Sequence, residues 1–183
     1  MPLQIASRRA APATLAARYP GAVVLDLTSR GPQPWVRFSP FYPHGGIPIP
    51  FAEGETGMSV EGIWQGLKVF EQADVDPSTW AQAGMRGLKR TQRRFAAVLG
   101  HRAGPQGASL LAYGEARQLI YLPTYRWVLE HRLADLLAQL QALAATQTVV
   151  LLDYETNGEV ADLSRPLSHA ALVKHYLDGT WPE

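Results

Sequence analysis

TVVLLDY, residues 148–154, is a short apolar run that begins with β-branched residues and closes on an acid and an aromatic. Such a run predicts a buried strand. Just before it lies the longest helical pattern of the chain. Over residues 125–143, Val128, Leu129, Leu133, Leu136, Leu137, Leu140 and Leu143 recur at helical spacing and face inwards. After it an acidic turn leads to a helix expected over residues 164–177, with Pro166 in its first turn and Gly179 just beyond its end. AVVLDL (22–27) predicts a second buried strand, PWVRF (34–38) a short edge strand and LIYLP (119–123) another. A short helix is expected over residues 13–19. These strands follow no repeating βαβ series, which gives an α+β class: a small mixed sheet surrounded by helices. No repeat or break in composition divides the 183 residues, so residues 1–183 are read as a single compact domain.

Hydrophobic residues make up 46% and charged residues 18%, the balance of a folded globule rather than a disordered chain. The formal net charge is +1, which excludes a general affinity for nucleic acid or membrane surfaces. There is no cysteine, hence no disulfide, no thiolate metal site and no cysteine nucleophile. No run of about 18 apolar residues offers a membrane span. The first twenty residues lack the continuous apolar stretch of a secretory signal. A soluble cytoplasmic protein is expected, without membrane attachment, metal or cofactor.

Chemistry enters with SVEGIWQGLKVF, residues 59–70, which carries two stripes. At about 100° per residue, Val60, Ile63, Leu67 and Phe70 share one face, which must point at a core. Glu61, Trp64, Gln65 and Lys68 share a neighbouring face by the same spacing. A solvated face accepts the polar residues but has no use for Trp64; a binding cleft wants all four. The alternative is a half-exposed face with Trp64 packed beneath the preceding loop. Gly62 and Gly66 each cost a helix about 1 kcal/mol relative to alanine, so something approaches that helix closely. Ser59 is placed to cap it. The preceding loop, residues 39–58, holds four prolines and four glycines, and a loop that long usually has a task as a lid or binding loop. His44 lies in it.

GMRGLKRTQRRF (84–95) concentrates Arg86, Lys89, Arg90, Arg93 and Arg94 on one broad side of a helix expected over residues 86–99, with Gly100 at its C-cap. The stretch suits a phosphate, of a small molecule or of a nucleic-acid backbone, or else a solvated basic face. LLDYETNGEVADLS (151–164) has the outline of a calcium loop. Ser164 stands where the bidentate glutamate belongs, however, and a strand precedes it. What remains is a cluster of Asp153, Glu155, Glu159 and Asp162 at the end of a strand. Nucleophile-elbow, Walker and dinucleotide motifs are absent from the sequence.

Taken together, RFSPF, IPIPF and SVEGIWQGLKVF resemble the NADAR, or YbiA-like, family. That family opens with a phrase like F-S-N-F, followed by a proline-containing strand and T-x-E-x-Y-x-Q-A-x-K-F on a helix. Phe38-Ser39-Pro40-Phe41 stands for the first phrase; Ser59, Glu61, Gln65, Gly66 and Lys68 fall at the spacing of the last. Gly87-Leu88-Lys89-Arg90 loosely matches a basic segment that follows. The likeness starts near Phe38, which leaves a core of residues 34–183 and an N-terminal extension, residues 1–33, packed on it. Where the family has D-x-x-W-G this chain has NGEVAD, and Pro40 replaces an asparagine. Family members cleave N-glycosidic bonds of phosphoribosylated intermediates or of ADP-ribosylated bases. The resemblance therefore implies an N-glycosidase-like hydrolase acting on a nucleotide-like or ADP-ribosyl substrate. Glu61 would be the catalytic carboxylate, with Glu159 or Asp162 as a second acid. Lys68, Lys89 and Arg90 would hold phosphate, Trp64 would stack on the base, and Gln65, Phe41 and His44 would line the pocket. The alternatives are an inactive module that binds ADP-ribose or a nucleotide, and a nucleic-acid-binding protein that uses the Arg86–Arg94 face.

Overall fold

The computed structural model describes residues 3–182. Val149–Asp153 is the middle strand of a three-stranded sheet, with Leu3–Ser7 on one side and Val23–Asp26 on the other, both parallel to it. A strand with parallel neighbours on both sides and covered faces reads as a continuous apolar run, and all five of its residues are buried. Residues 3–33 are therefore not an extension laid on a finished core, because they supply both outer strands of this sheet. Between those strands runs the Pro12–Arg18 helix, whose Leu15 packs with Ala6, Val150 and Leu152. The chain has the mixture of helices and small sheets of an α+β protein, but the strands among the described residues form three small sheets rather than one mixed sheet. By its contacts it divides into two compact units: residues up to Ser39 together with those from Leu129 onward, and residues 40–128. Among the described residues no helix is long and apolar enough to cross a membrane.

Three expectations change here. Residues 35–38 form a 3-10 turn, not an edge strand, and bury Val36 and Phe38. The long helix is two, Leu122–Arg132 and Ala134–Thr146, because Leu133 leaves the helical region at φ −127°. The break turns the Arg132 carbonyl to the Arg37 guanidinium at 2.7 Å, and the same guanidinium pairs with Asp135. The second of these helices buries Leu136, Leu137, Leu140 and Ala144. The last helix, His169–Asp178, starts later than expected, capped by the Ser168 hydroxyl, and stops at Gly179 in the left-handed conformation.

Asp153, at the C-terminal end of the middle strand, is 5% exposed. One of its oxygens accepts from the Ser168 hydroxyl at 2.8 Å and meets His169 Nδ1 at 2.9 Å. His169 Nε2 lies 2.9 Å from the Leu27 carbonyl. Both acceptors require a proton on the facing nitrogen, which only the imidazolium supplies. Burial pushes His169 down, but the Asp153 charge and hydrogen bond and the Leu27 carbonyl outweigh it and raise the group above its ordinary value. Burial likewise pushes Asp153 up, and the charge and hydrogen bonds of His169, with Ser168, bring it below the usual carboxylate range.

The second unit is built round the Val60–Gly66 helix. Ser59 caps it as expected, its hydroxyl accepting from Gly62 N at 3.0 Å. The helix ends sooner than its stripes suggest: Leu67 closes it, and Lys68–Phe70 continues as a strand antiparallel to Val98–Arg102, which in turn pairs with Leu110–Leu111. All four apolar stripe residues are buried nonetheless. The proline-rich loop folds into a small hairpin, Ile47–Pro48 against Thr56–Gly57, that buries Ile47 and Ile49. LIYLP is a helical turn, not a strand. Arg117–Tyr121 form one π-helical turn that runs without a break into the Leu122–Arg132 helix.

The two helix glycines have the use that their cost implies, and the visitor is the chain itself. The short Pro77–Trp80 helix lies on the Gly62–Gly66 face, with the Asp76 amide on the Gly66 carbonyl at 2.8 Å. A Cβ at Gly66 would fall 2.3 Å from the Trp80 ring and 3.0 Å from the Asp76 carbonyl.

Two measurements check these assignments. Replacing a helical glycine by alanine ordinarily gains about 1 kcal/mol. Here overpacking wins, and Gly66→Ala should lower the unfolding free energy by about 1–3 kcal/mol in a denaturant titration. The raised His169 contributes stability that is fully present below about pH 6.5 and is lost as pH rises through its folded-state value. Wild type should therefore weaken from neutral towards alkaline pH. His169→Gln should abolish that limb and cost about 3–5 kcal/mol at pH 6, since Asp153 is left buried without its cation.

Candidate functional site

The polar stripe of the Val60–Gly66 helix is joined by one carboxamide. Gln65, 5% exposed, donates through Nε2 to Glu61 Oε1 at 2.9 Å. Its Oε1 accepts from Lys68 Nζ at 3.2 Å and from the backbone N–H of Arg90 at 3.1 Å. The backbone N–H can only donate, so the orientation of the amide is fixed: its oxygen faces the cations and its NH2 faces the carboxylate. Glu61, 9% exposed, sits in the first helical turn with its own amide on the Pro40 carbonyl at 2.9 Å. That bond ties the start of the proline-rich loop to the site. Phe41 follows in sequence, and the Lys89 ammonium stands 5.7 Å from the centre of its ring.

Trp64 belongs to an aromatic cluster. Its ring lies 3.8 Å from that of His101, with Tyr113 and Tyr121 edge-on at 6.1 and 5.7 Å. The Lys68 ammonium is 6.0 Å from the Trp64 ring centre. Burial lowers Lys68 from its ordinary value; Glu61 acts against that, and the neighbouring Arg90 and Lys89 add to it. Asp74 and Asp76 answer the charge of Arg90, which leaves Lys68 and Lys89 as the cations that suit an anionic ligand beside Glu61.

Arg90 takes part differently from the sequence expectation. Its guanidinium donates to the carbonyls of Gln65, Lys68 and Asp74 at 3.1, 2.6 and 2.6 Å and lies against the Phe70 and Phe95 rings, each 5.2 Å away. Those bonds make it a clamp that holds the end of the Glu61 helix, not a group presented to a phosphate. They also hold residues 87–91 away from helical geometry. Only Gln92–Phe95 are helical in the stretch expected as one helix over 86–99. Ala96 then reverses at φ +62°, and Gly100, expected as a cap, is a strand residue opposite Val69. Val98 and Leu99 are exposed rather than core. The helix expected to carry all five cations on one side is therefore not formed.

The remaining expected residues have other contacts. His44 packs against the Tyr42 ring, 4.8 Å between centres. Glu159 and Asp162 belong to the other unit. Asp162 holds its own turn, accepting from the Ser164 amide and hydroxyl and pairing with Arg165 at 3.0 Å. The Ser164 and Arg165 bonds bring Asp162 down to about 2, so it is ionised at neutral pH and cannot give a proton. Two histidines outside the expected site residues are buried. His169 sits on the last helix beside Ser168, its cap. His101 lies directly across the strand pair from Lys68, and only that pairing reveals it.

No curated protein and no solved structure matches the chain. Residues 7–173 match the model of a family described as Family of unknown function (DUF6939), and the chain belongs to that family.

Proposed function

We propose that the protein is an N-glycoside hydrolase that cleaves the C1′–N bond of a phosphoribosylated or ADP-ribosylated base. The observation that carries this reading is the Gln65 amide, which holds the Glu61 carboxylate on one side and the Lys68 ammonium on the other, with Trp64 between them along the helix. Breaking a C1′–N bond builds positive charge on the sugar. A fixed carboxylate stabilises that charge and orients a water molecule. The water oxygen ends on C1′, and a proton goes to the departing nitrogen. Lys68 and Lys89 supply attraction for the phosphate, and Trp64 supplies a flat wall for the base. Arg90 acts through position alone, by fixing the peptide groups on which Gln65 and Lys68 stand. Neither Glu159 nor Asp162 is needed in this scheme.

The test is mass spectrometry of purified protein incubated with phosphoribosyl and ADP-ribosyl N-glycosides. Wild type should release free ribose phosphate or ADP-ribose. Glu61→Gln keeps an oxygen for the Gln65 amide and should slow release by about 10²–10⁴-fold. Equal turnover by both proteins would remove Glu61 from its role. No release by folded wild-type protein would overturn the hydrolase reading in favour of a module that binds such ligands without cleaving them.

A further inference from the structure

His101 is 1% exposed, and among the described residues neither of its ring nitrogens has a hydrogen-bond partner. A neutral imidazole carries one donor and one acceptor, and leaving both unmade in a desolvated place is costly enough to ask for a reason. Burial, with the Lys68 ammonium nearby, pushes the ring down to about 3, so it is uncharged at neutral pH. Lys68 and His101 are directly opposed in the antiparallel pair Lys68–Phe70 and Val98–Arg102. Opposed residues stand on the same face of a sheet, and Trp64 stacks against the ring on that face. Lys68, Gln92, Gly100, His101 and Tyr113 line a cleft of about 460 Å³, within the range of small-molecule sites.

We propose that His101 is a ligand-binding residue of this cleft, its two ring nitrogens serving the hydroxyl groups of a ribosyl phosphate whose phosphate is held by Lys68. An uncharged ring offers an anion nothing that the ammonium beside it does not offer better. Its natural partners are groups that both donate and accept, and a sugar hydroxyl does both. The cation then takes the charged end of the same molecule. The ribosyl identity rests on the N-glycosidase reading, whereas the use of the nitrogens for a ligand rests on their isolation.

His101→Phe keeps a flat ring against Trp64 and removes both nitrogens; His101→Gln keeps one donor and one acceptor. Calorimetric binding of ribose 5-phosphate and of ADP-ribose should weaken about tenfold or more in His101→Phe, the loss expected for a hydrogen bond in a desolvated site. His101→Gln should recover part of that affinity. The phenylalanine variant should also melt at a higher temperature than wild type, because its unmade polar atoms are gone. A ring that only packs would leave affinity unchanged in His101→Phe, and that result overturns the inference. So does wild-type protein that binds neither probe. Turnover is read separately on the N-glycosides. Absent turnover with binding lost in His101→Phe removes the hydrolase and keeps this site, while intact turnover with unchanged binding does the reverse.

Discussion

The backbone N–H of Arg90 can only donate, and this settles the direction of the Gln65 carboxamide and with it the whole Glu61 cluster. With the oxygen committed to Arg90 and Lys68, the NH2 group has the Glu61 carboxylate as its partner. Reversing the amide would set its NH2 against two donors and its oxygen against a carboxylate. The arrangement in turn needs residue 90 to stay where it is. Three carbonyls from Gln65, Lys68 and Asp74 hold its guanidinium there, and two phenylalanine rings cover it. A guanidinium spreads donors over a planar fork and can bind several carbonyls at once; a lysine in its place would offer a single point of charge.

The same clamp explains where the helix stops. The sequence pattern of residues 59–70 is helical to its end, and both stripes remain meaningful, yet the helix closes at Gly66. The Leu67 amide still reaches back to the Ile63 carbonyl, while its own carbonyl receives the Arg102 amide of the neighbouring strand at 2.8 Å. Strand pairing at Leu67 and the guanidinium on Lys68 both compete with one more helical turn, and together they win. Lys68 therefore reaches Gln65 from a strand rather than from the next turn of the helix. Spacing alone placed the right residues together by the wrong local geometry.

Legibility followed the range of the forces involved. TVVLLDY announced itself because a strand buried on both faces needs an unbroken apolar run; AVVLDL is a strand as expected but an outer one, not a buried one, with Leu25 buried and Val24 exposed. Ser59 and Gly179 were readable because caps are satisfied within four residues. What failed was governed by partners far along the chain. The residues 86–99 look helical until Arg90 meets carbonyls some twenty residues earlier. PWVRF alternates like a strand but closes into a 3-10 turn that buries Val36 and Phe38. LIYLP carries strand residues yet lies in a helical turn that feeds a helix. In the site, Glu61, Gln65, Lys68 and Trp64 were visible as a periodic face. His101 was not, since its neighbours come from a strand partner and from a ring on another element.

The two buried histidines separate structure from function by the way each meets its hydrogen-bonding needs. His169 carries a charge into the interior, and every proton of that charge is answered: Asp153 at one nitrogen, the Leu27 carbonyl at the other. Removing it would leave an acid unbalanced, so its purpose is fulfilled inside the fold. His101 is buried as deeply but in the opposite state, uncharged and with nothing at either nitrogen. A leucine or phenylalanine would fill the same space beside Trp64 without the desolvation cost. Keeping an imidazole there makes physical sense when its partners arrive from outside the chain, and the ammonium of Lys68 on the same face indicates the kind of molecule that would bring them.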